Sequence, residues 1–143
     1  MNNSLTLVTD SSALISLASI TDQNHKVAQN VVNWIKENTI TNVLPGEVLT
    51  ESLNAIGRKF GHSPANLLYD QIINDRTFLI QETNQEIRSR AFEKFKDQSG
   101  SVSFTDCLVM AFSDYFKTKL IFGFDEDFKK NKYERLGVDY KVS

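Results

Sequence analysis

The sequence predicts an α/β domain of three layers, in which helices cover both faces of a central, mainly parallel sheet. Short apolar segments of strand length alternate with longer segments whose apolar residues recur every three or four positions. Strands that alternate with helices pair in parallel between two helical layers. The 143 residues, 41% hydrophobic and 24% charged, suit one folded domain, which we expect to span residues 1–143.

Strands are predicted wherever a short apolar run ends at polar or turn-forming residues. The first run stops at Asp10, and the second stops at Pro45. The third and fourth runs are equally short, and a further run near the C-terminus indicates a fifth strand. The predicted strands cover residues 5–8, 40–44, 78–80, 120–122 and 138–142.

Helices are predicted from apolar spacing and capping residues. The first follows Asp10, and the second has Asn24 as its N-cap. Pro45 suits the first turn of the third, and Gly61 suits its C-terminal end. Residues 63–74 and 84–96 form the fourth and fifth. The sixth covers residues 103–116, where Ser103 and Asp106 have the spacing of a capping box.

Composition excludes several classes of protein. The single cysteine, Cys107, permits neither an internal disulfide nor a cysteine-based zinc site, and predicts a reducing, cytoplasmic location. The N-terminal residues lack the pattern of a signal peptide, and no apolar run is long enough for a membrane span. The net charge of −2 argues against a global positive field, although residues 117–143 carry seven basic and five acidic residues.

Acidic residues follow three of the predicted strands, at the edge where open parallel sheets bind ligands. Each has a structural alternative, because an aspartate can cap a helix and a helical glutamate can be merely solvated. Residues 125–127 could equally form a polar turn. The acidic residues are Asp10, the pair Glu47 and Glu51, Asp106 in the sixth helix, and the run Asp125, Glu126 and Asp127.

Carboxylates that converge without lysine or arginine among them need a cation. Two carboxylates about 4 Å apart repel by about 4 kcal/mol at an effective dielectric constant of about 20. Oxygen ligands select Mg²⁺ or Mn²⁺ rather than zinc or copper. Such an ion activates water and neutralises charge on a phosphoryl group, which indicates phosphodiester hydrolysis.

Four segments resemble the acidic motifs of the PIN-domain (PilT N-terminus) ribonucleases, in the order and approximate spacing of that family. They are residues 7–14, 44–54, 103–108 and 120–128. The short single-domain form is most similar to the VapC-type toxins of bacterial toxin–antitoxin pairs. The resemblance implies an endoribonuclease that uses Mg²⁺ or Mn²⁺.

Carried over residue by residue, the resemblance implies that Asp10, Glu51, Asp106 and Asp125 are the catalytic, metal-binding acids. It also implies that the Ser12 hydroxyl steadies Asp10. Glu51 is preferred to Glu47 because Ser-Leu-Asn follows it, as small and apolar residues follow the acid of the family. The family usually has Thr or Ser two residues before its last aspartate, where this chain has Gly123, so a supporting hydrogen bond is expected to be absent.

The resemblance further implies an RNA substrate, a homodimer, and a protein antitoxin that inserts a basic side chain among the acids. Two alternatives remain open at this point. One is a housekeeping nuclease that processes RNA or acts on DNA. The other is a PIN-like module that has lost catalysis and binds RNA or protein, an alternative that the glycine at position 123 keeps open.

Overall fold

The structure, a computed structural model, describes residues 5–142 of the chain. Within that range five strands form one sheet and seven helices surround it. The strands are β1 (Thr6–Thr9), β2 (Thr41–Pro45), β3 (Leu79–Gln81), β4 (Leu120–Phe122) and β5 (Glu134–Arg135). The helices are α1 (Ser11–Ala18), α2 (His25–Glu37), α3 (Gly46–Phe60), α4 (His62–Asp75), α5 (Gln85–Lys96), α6 (Phe104–Tyr115) and α7 (Glu126–Lys130).

The sheet has the strand order β3-β2-β1-β4-β5, and every neighbouring pair is parallel. Strand β1 lies in the centre, where Val8 pairs with Val43 of β2 on one side and with Ile121 of β4 on the other. Parallel pairing requires each connection to cross a face of the sheet, and the helices make these crossings. The predicted three-layer α/β/α fold is confirmed.

Side chains that alternate along the strands divide the core between the two faces of the sheet. In β1, Leu7 packs in a cluster with Val31 and other residues of α2 and with Leu136 near the C-terminus. Its neighbour Val8 packs in a larger cluster built mainly by α3, α4, α5 and α6, including the fully buried Phe112. The sheet is therefore covered on both faces, and its carboxyl edge is left for polar residues.

Most helix ends follow the capping signals of the sequence. The side chain of Asn84 accepts a hydrogen bond from the amide of Ile87 and caps α5. Gly61 has a φ of 98° between α3 and α4, a conformation that side chains with a β-carbon disfavour. One detail of the prediction is wrong, because Pro45 ends β2 and is the N-cap residue of α3 rather than part of its first turn. Asn24 is the N-cap residue of α2, although its side chain makes no capping hydrogen bond.

The prediction of a fifth strand over residues 138–142 is wrong. The fifth strand is Glu134–Arg135, and the later residues contribute one isolated bridge between Leu136 and Tyr140. The chain instead folds back on itself, because the amides of residues 138, 139 and 140 all donate to the carbonyl of Arg135. The Arg135 guanidinium also pairs with both carboxylate oxygens of Asp139, at 2.8 and 3.0 Å.

Residues 125–127 begin the short helix α7 rather than forming only a polar turn.

No helix within residues 5–142 combines the length and the apolar character needed to cross a membrane.

Candidate functional site

The acidic residues gather at the carboxyl edge of the central strands, where three helices begin. Asp10 follows β1 and is the N-cap of α1, and Asp125 is the N-cap of α7 after β4. Asp106 lies in the first turn of α6. Helix N-termini favour negative charge, so the fold tolerates carboxylates here better than elsewhere on the surface.

Asp10 is the most buried acid of the site, with only 2% of its surface exposed. Its Oδ2 atom accepts hydrogen bonds from the Ser12 hydroxyl at 2.7 Å and the Ser12 amide at 3.1 Å. Its Oδ1 atom is buried and has no hydrogen-bond partner among residues 5–142. Burial raises the pKa of Asp10 to about 6, the hydrogen bonds from Ser12 oppose that rise, and the negative charge of Asp106 adds to it.

Ser12 joins the ends of two adjacent strands. While its hydroxyl donates to Asp10, it accepts a hydrogen bond from the amide of Phe124 at 2.9 Å. The amide of Asp10 in turn donates to the carbonyl of Phe122 at 2.8 Å. These bonds fix the Asp10 carboxylate relative to the chain that leads into Asp125.

Gly123 lies directly against Asp10, which gives a physical reason for the glycine at this position. A β-carbon here would lie 2.8 Å from the β-carbon of Asp10 and 3.2 Å from a ring carbon of Phe128. Both neighbours are buried, so neither has free space to move into. Ser12, rather than a side chain at position 123, makes the polar contact at the end of β4.

Asp106, Asp125 and Asp127 form the tightest group of acids. One carboxylate oxygen from each lies within 4.8 Å of the others. The predicted capping box is present, since Asp106 Oδ2 accepts from the amide of Ser103 at 3.1 Å and the Ser103 hydroxyl accepts from the amide of Asp106 at 3.0 Å. Partial burial raises the pKa of Asp106, and the negative charge of Asp125 adds to that rise.

Asp127 belongs to this group, although from the sequence it is expected only among the acids of this edge and not among the metal ligands. The Asp125 side chain accepts from the amide of Asp127 at 2.9 Å and begins α7 there, which turns both carboxylates toward Asp106. Burial raises the pKa of Asp127, and the negative charge of Asp125 adds to the effect. The sequence does carry a signal, because acids two residues apart at a helix N-terminus both lie in its first turn.

The two glutamates of α3 have different surroundings. Glu47 Oε1 accepts a hydrogen bond from the Thr83 hydroxyl at 2.7 Å, which ties Glu47 to the end of β3. Glu51 faces the acids: partial burial raises its pKa, and the negative charge of Asp106 adds to that rise. Glu51 is not one of the close group of three, so the structure places it at the border of the acidic cluster.

The chemistry of this donor set fits a hard divalent cation. Asp106 lies close enough to Asp10, Glu51 and Asp125 for like charge to raise a pKa in each pairing. The buried Oδ1 of Asp10 is an acceptor with nothing to accept from within residues 5–142. Only oxygen atoms are offered, a donor set that favours a hard divalent cation. A cation bound here would relieve both the repulsion and the unpartnered buried oxygen.

Comparisons with known proteins show the family and the fold of this chain. The family model described as PIN domain matches residues 7–132. Among solved structures, the chain is similar to VapC20 of Mycobacterium tuberculosis, a Sarcin-Ricin loop cleaving toxin, with a TM-score of 0.76. The two sequences are 18% identical, and the match covers 89% of this chain and 95% of that one, a likeness that shows a shared fold. A search of curated proteins found no match.

Proposed function

This chain belongs to the PIN domain family, and we propose that it is a metal-dependent endoribonuclease that hydrolyses phosphodiester bonds of RNA. The observation that carries the proposal is the unpartnered, buried Oδ1 of Asp10 beside the carboxylate of Asp106. Asp10, Glu51, Asp106 and Asp125 are the proposed metal-binding and catalytic acids. Asp127 is proposed as an additional acid of the same site, because it lies with Asp106 and Asp125.

In this proposal the chain's own residues supply a pre-organised set of oxygens. Ser12 holds Oδ2 of Asp10 and leaves Oδ1 free, and the capping box holds Oδ2 of Asp106. Mg²⁺ or Mn²⁺ bound there supplies an activated water and neutralises charge on the phosphoryl group. The caps of α1, α6 and α7 orient the side chains of Asp10, Asp106 and Asp125.

We further propose that the protein is the toxin of a toxin–antitoxin pair. Its fold is that of the Sarcin-Ricin loop cleaving toxin VapC20, and the match covers nearly all of both chains. The carboxylates at the carboxyl edge would attract a basic side chain of an antitoxin as they attract a cation. A homodimer is part of the same proposal.

The two glutamates of α3 provide a matched test on total RNA. Glu51→Gln should lower the cleavage rate about 100-fold or more, because it removes a proposed ligand of the ion. Glu47→Gln should retain most of the activity, since that side chain is engaged with Thr83. EDTA should abolish cleavage by the wild-type protein. Equal losses in the two variants, or cleavage that survives EDTA, would contradict the proposal.

A further inference from the structure

A cavity opens beside the acidic cluster, and Glu51 is the one proposed metal-binding acid in its lining. It has a volume of about 610 Å³ and lies between α3, the end of β3 and the start of α6. Its polar lining consists of Glu47, Thr50, Glu51, Asn54, Arg58, Glu82 and Thr105, and its apolar lining includes Leu49 and Ile80. A volume of this size holds a small organic group, and polar groups above an apolar floor fix its orientation.

One wall of the cavity is a single stripe of α3. Glu51, Asn54 and Arg58 are three and four residues apart, so they lie on one face of the helix. Arg58 stands about 10 Å along the helix axis from Glu51. Neither the Asn54 amide nor the Arg58 guanidinium has a hydrogen-bond or salt-bridge partner within residues 5–142, so both are available to a ligand.

A further carboxylate in the lining is that of Glu82, which lies at the start of α3. The register that pairs Pro45 with Gln81 brings Glu82 next to Gly46, where a β-carbon would lie 2.4 Å from Glu82 Oε1. The hydrogen bond from Thr83 to Glu47 anchors the neighbouring residue against α3. The glycine thus leaves room for the Glu82 carboxylate to lie across the start of α3, at the edge of the cavity.

We propose that this cavity binds the nucleotide adjacent to the scissile phosphate and prefers guanine at that position, an inference that rests on the proposed ribonuclease function. Glu82 accepts from the two neighbouring donors on the Watson–Crick edge of guanine. Asn54 and Thr105 supply further polar contacts, and Arg58 binds the phosphate. Leu49 and Ile80 pack against the face of the base.

The preference for guanine follows from the hydrogen-bond donors and acceptors that each base carries on its edges. Proteins read unpaired RNA bases by hydrogen bonds to their exposed edges, which makes a pocket of this kind a reader of single strands. A carboxylate accepts two hydrogen bonds side by side, and guanine alone carries an N–H beside an amino group on that edge. Uracil offers no amino group and should be the poorest occupant.

The test maps cleavage ends on a single-stranded RNA library of random sequence. Wild-type protein should cut mainly beside guanine. Glu82→Gln should reduce that preference about tenfold, because an amide in place of the carboxylate loses an acceptor. Asn54→Ala should weaken the preference for guanine. In both variants, Mg²⁺ or Mn²⁺ should raise the melting temperature as much as in the wild type. Lys59→Ala, which removes the cation next to Arg58 but lies outside the cavity lining, is the matched control and should cut as wild type does.

A binding measurement separates this proposal from the ribonuclease function. Labelled single-stranded oligoribonucleotides rich in guanine or in uracil are titrated into each protein, and the bound fraction is read by fluorescence anisotropy. Arg58→Ala should weaken binding about tenfold and lower the slope of log K against log salt by about 0.7, as expected for one lost phosphate contact. Lys59→Ala should do neither.

Two outcomes would overturn the cavity proposal. If wild-type protein cuts RNA and Glu82→Gln and Asn54→Ala keep its cleavage pattern, the cavity does not read the base, while the ribonuclease function stands. If wild-type protein cuts no RNA, the ribonuclease function fails and the anisotropy decides. If the protein then binds the guanine-rich strand more tightly than the uracil-rich strand, and this difference depends on Glu82 and Arg58, the cavity proposal is supported. If all variants bind both strands equally, the cavity proposal is overturned.

Discussion

A single buried aspartate, Asp10, combines a structural and a proposed chemical role. One of its oxygens caps α1 through Ser12, while the other has no partner within residues 5–142. The capping interpretation and the metal-binding interpretation of the sequence are therefore compatible, because they use different oxygen atoms. Its raised pKa shows that the fold disfavours the ionised carboxylate at this position when no cation compensates it.

Asp10→Asn should remove the part of the pH dependence of the unfolding free energy, measured in EDTA, that comes from Asp10. The carboxyl group has a pKa of about 6 in the folded chain and about 3.9 in an unfolded one. Between these values only the folded state holds the proton, so the wild type loses stability as pH rises, by about 3 kcal/mol in all. Asn cannot ionise and caps helices as well as Asp does.

Urea unfolding at pH 4 and pH 7.5 measures this difference. The variant should be close to wild type at pH 4 and more stable than wild type at pH 7.5. Two proteins whose unfolding free energies differ by the same amount at both pH values would show that Asp10 is not the source of the dependence.

Gly123→Ala should lower the unfolding free energy by about 1–3 kcal/mol, because the added methyl group overpacks against Asp10 and Phe128. The same change should reduce the increase in melting temperature on adding Mg²⁺, since it displaces Asp10. Gly100→Ala is the matched control, because a β-carbon at position 100 has nothing within 4 Å. Equal melting temperatures of the two variants would show that the close approach of Gly123 to Asp10 and Phe128 does not limit stability.

At the scale of elements, α6 carries both a capping box and the acid that couples to the other three proposed ligands. Asp106 interacts with Asp10, Glu51 and Asp125 through like charge, while its Oδ2 atom closes the capping box with Ser103. The cap orients the carboxylate, and the helix N-terminus partly offsets its charge. Loss of Asp106 therefore removes a cap and relieves repulsion at the same time.

Asp106→Asn and Ser103→Ala separate the two roles of this helix end. In EDTA, Asp106→Asn should stay within about 1 kcal/mol of wild type, because the weaker cap is offset by relieved repulsion. It should lose most of the stabilisation by Mg²⁺. Ser103→Ala should lose about 1 kcal/mol and retain the response to Mg²⁺. Melting temperatures with and without Mg²⁺ distinguish the two roles. If Asp106→Asn is clearly destabilised in EDTA and still gains the full stabilisation by Mg²⁺, Asp106 acts only as a helix cap.

Local signals predicted some elements well and missed others for a physical reason. The capping box of α6 and the end of α3 at Gly61 are set by residues close in sequence, and the structure has both. Strand β5 has two residues and is defined by pairing with β4, which no local pattern reveals. The segment after it is held by the ion pair of Arg135 with Asp139 rather than by strand pairing.

At the scale of the molecule, the fold class and the edge that collects the acids followed from the alternation of strands and helices. That alternation did not predict which acidic side chains come together at this edge. Asp127 joins the cluster through the start of α7, and the Thr83 hydroxyl donates a hydrogen bond to Glu47. Both depend on long-range placement of side chains. The cavity beside Glu51 likewise depends on the register of β2 with β3.

The central claim is that the acids at the carboxyl edge hold a divalent cation. Crystals soaked in Mn²⁺ and measured for anomalous scattering test it most directly, because they locate the ion without relying on activity. We predict one or more peaks within coordination distance of carboxylate oxygens of Asp10, Asp106 and Asp125. Saturating Mn²⁺ that gives no peak at this edge, or peaks only at other surface carboxylates, would contradict the account.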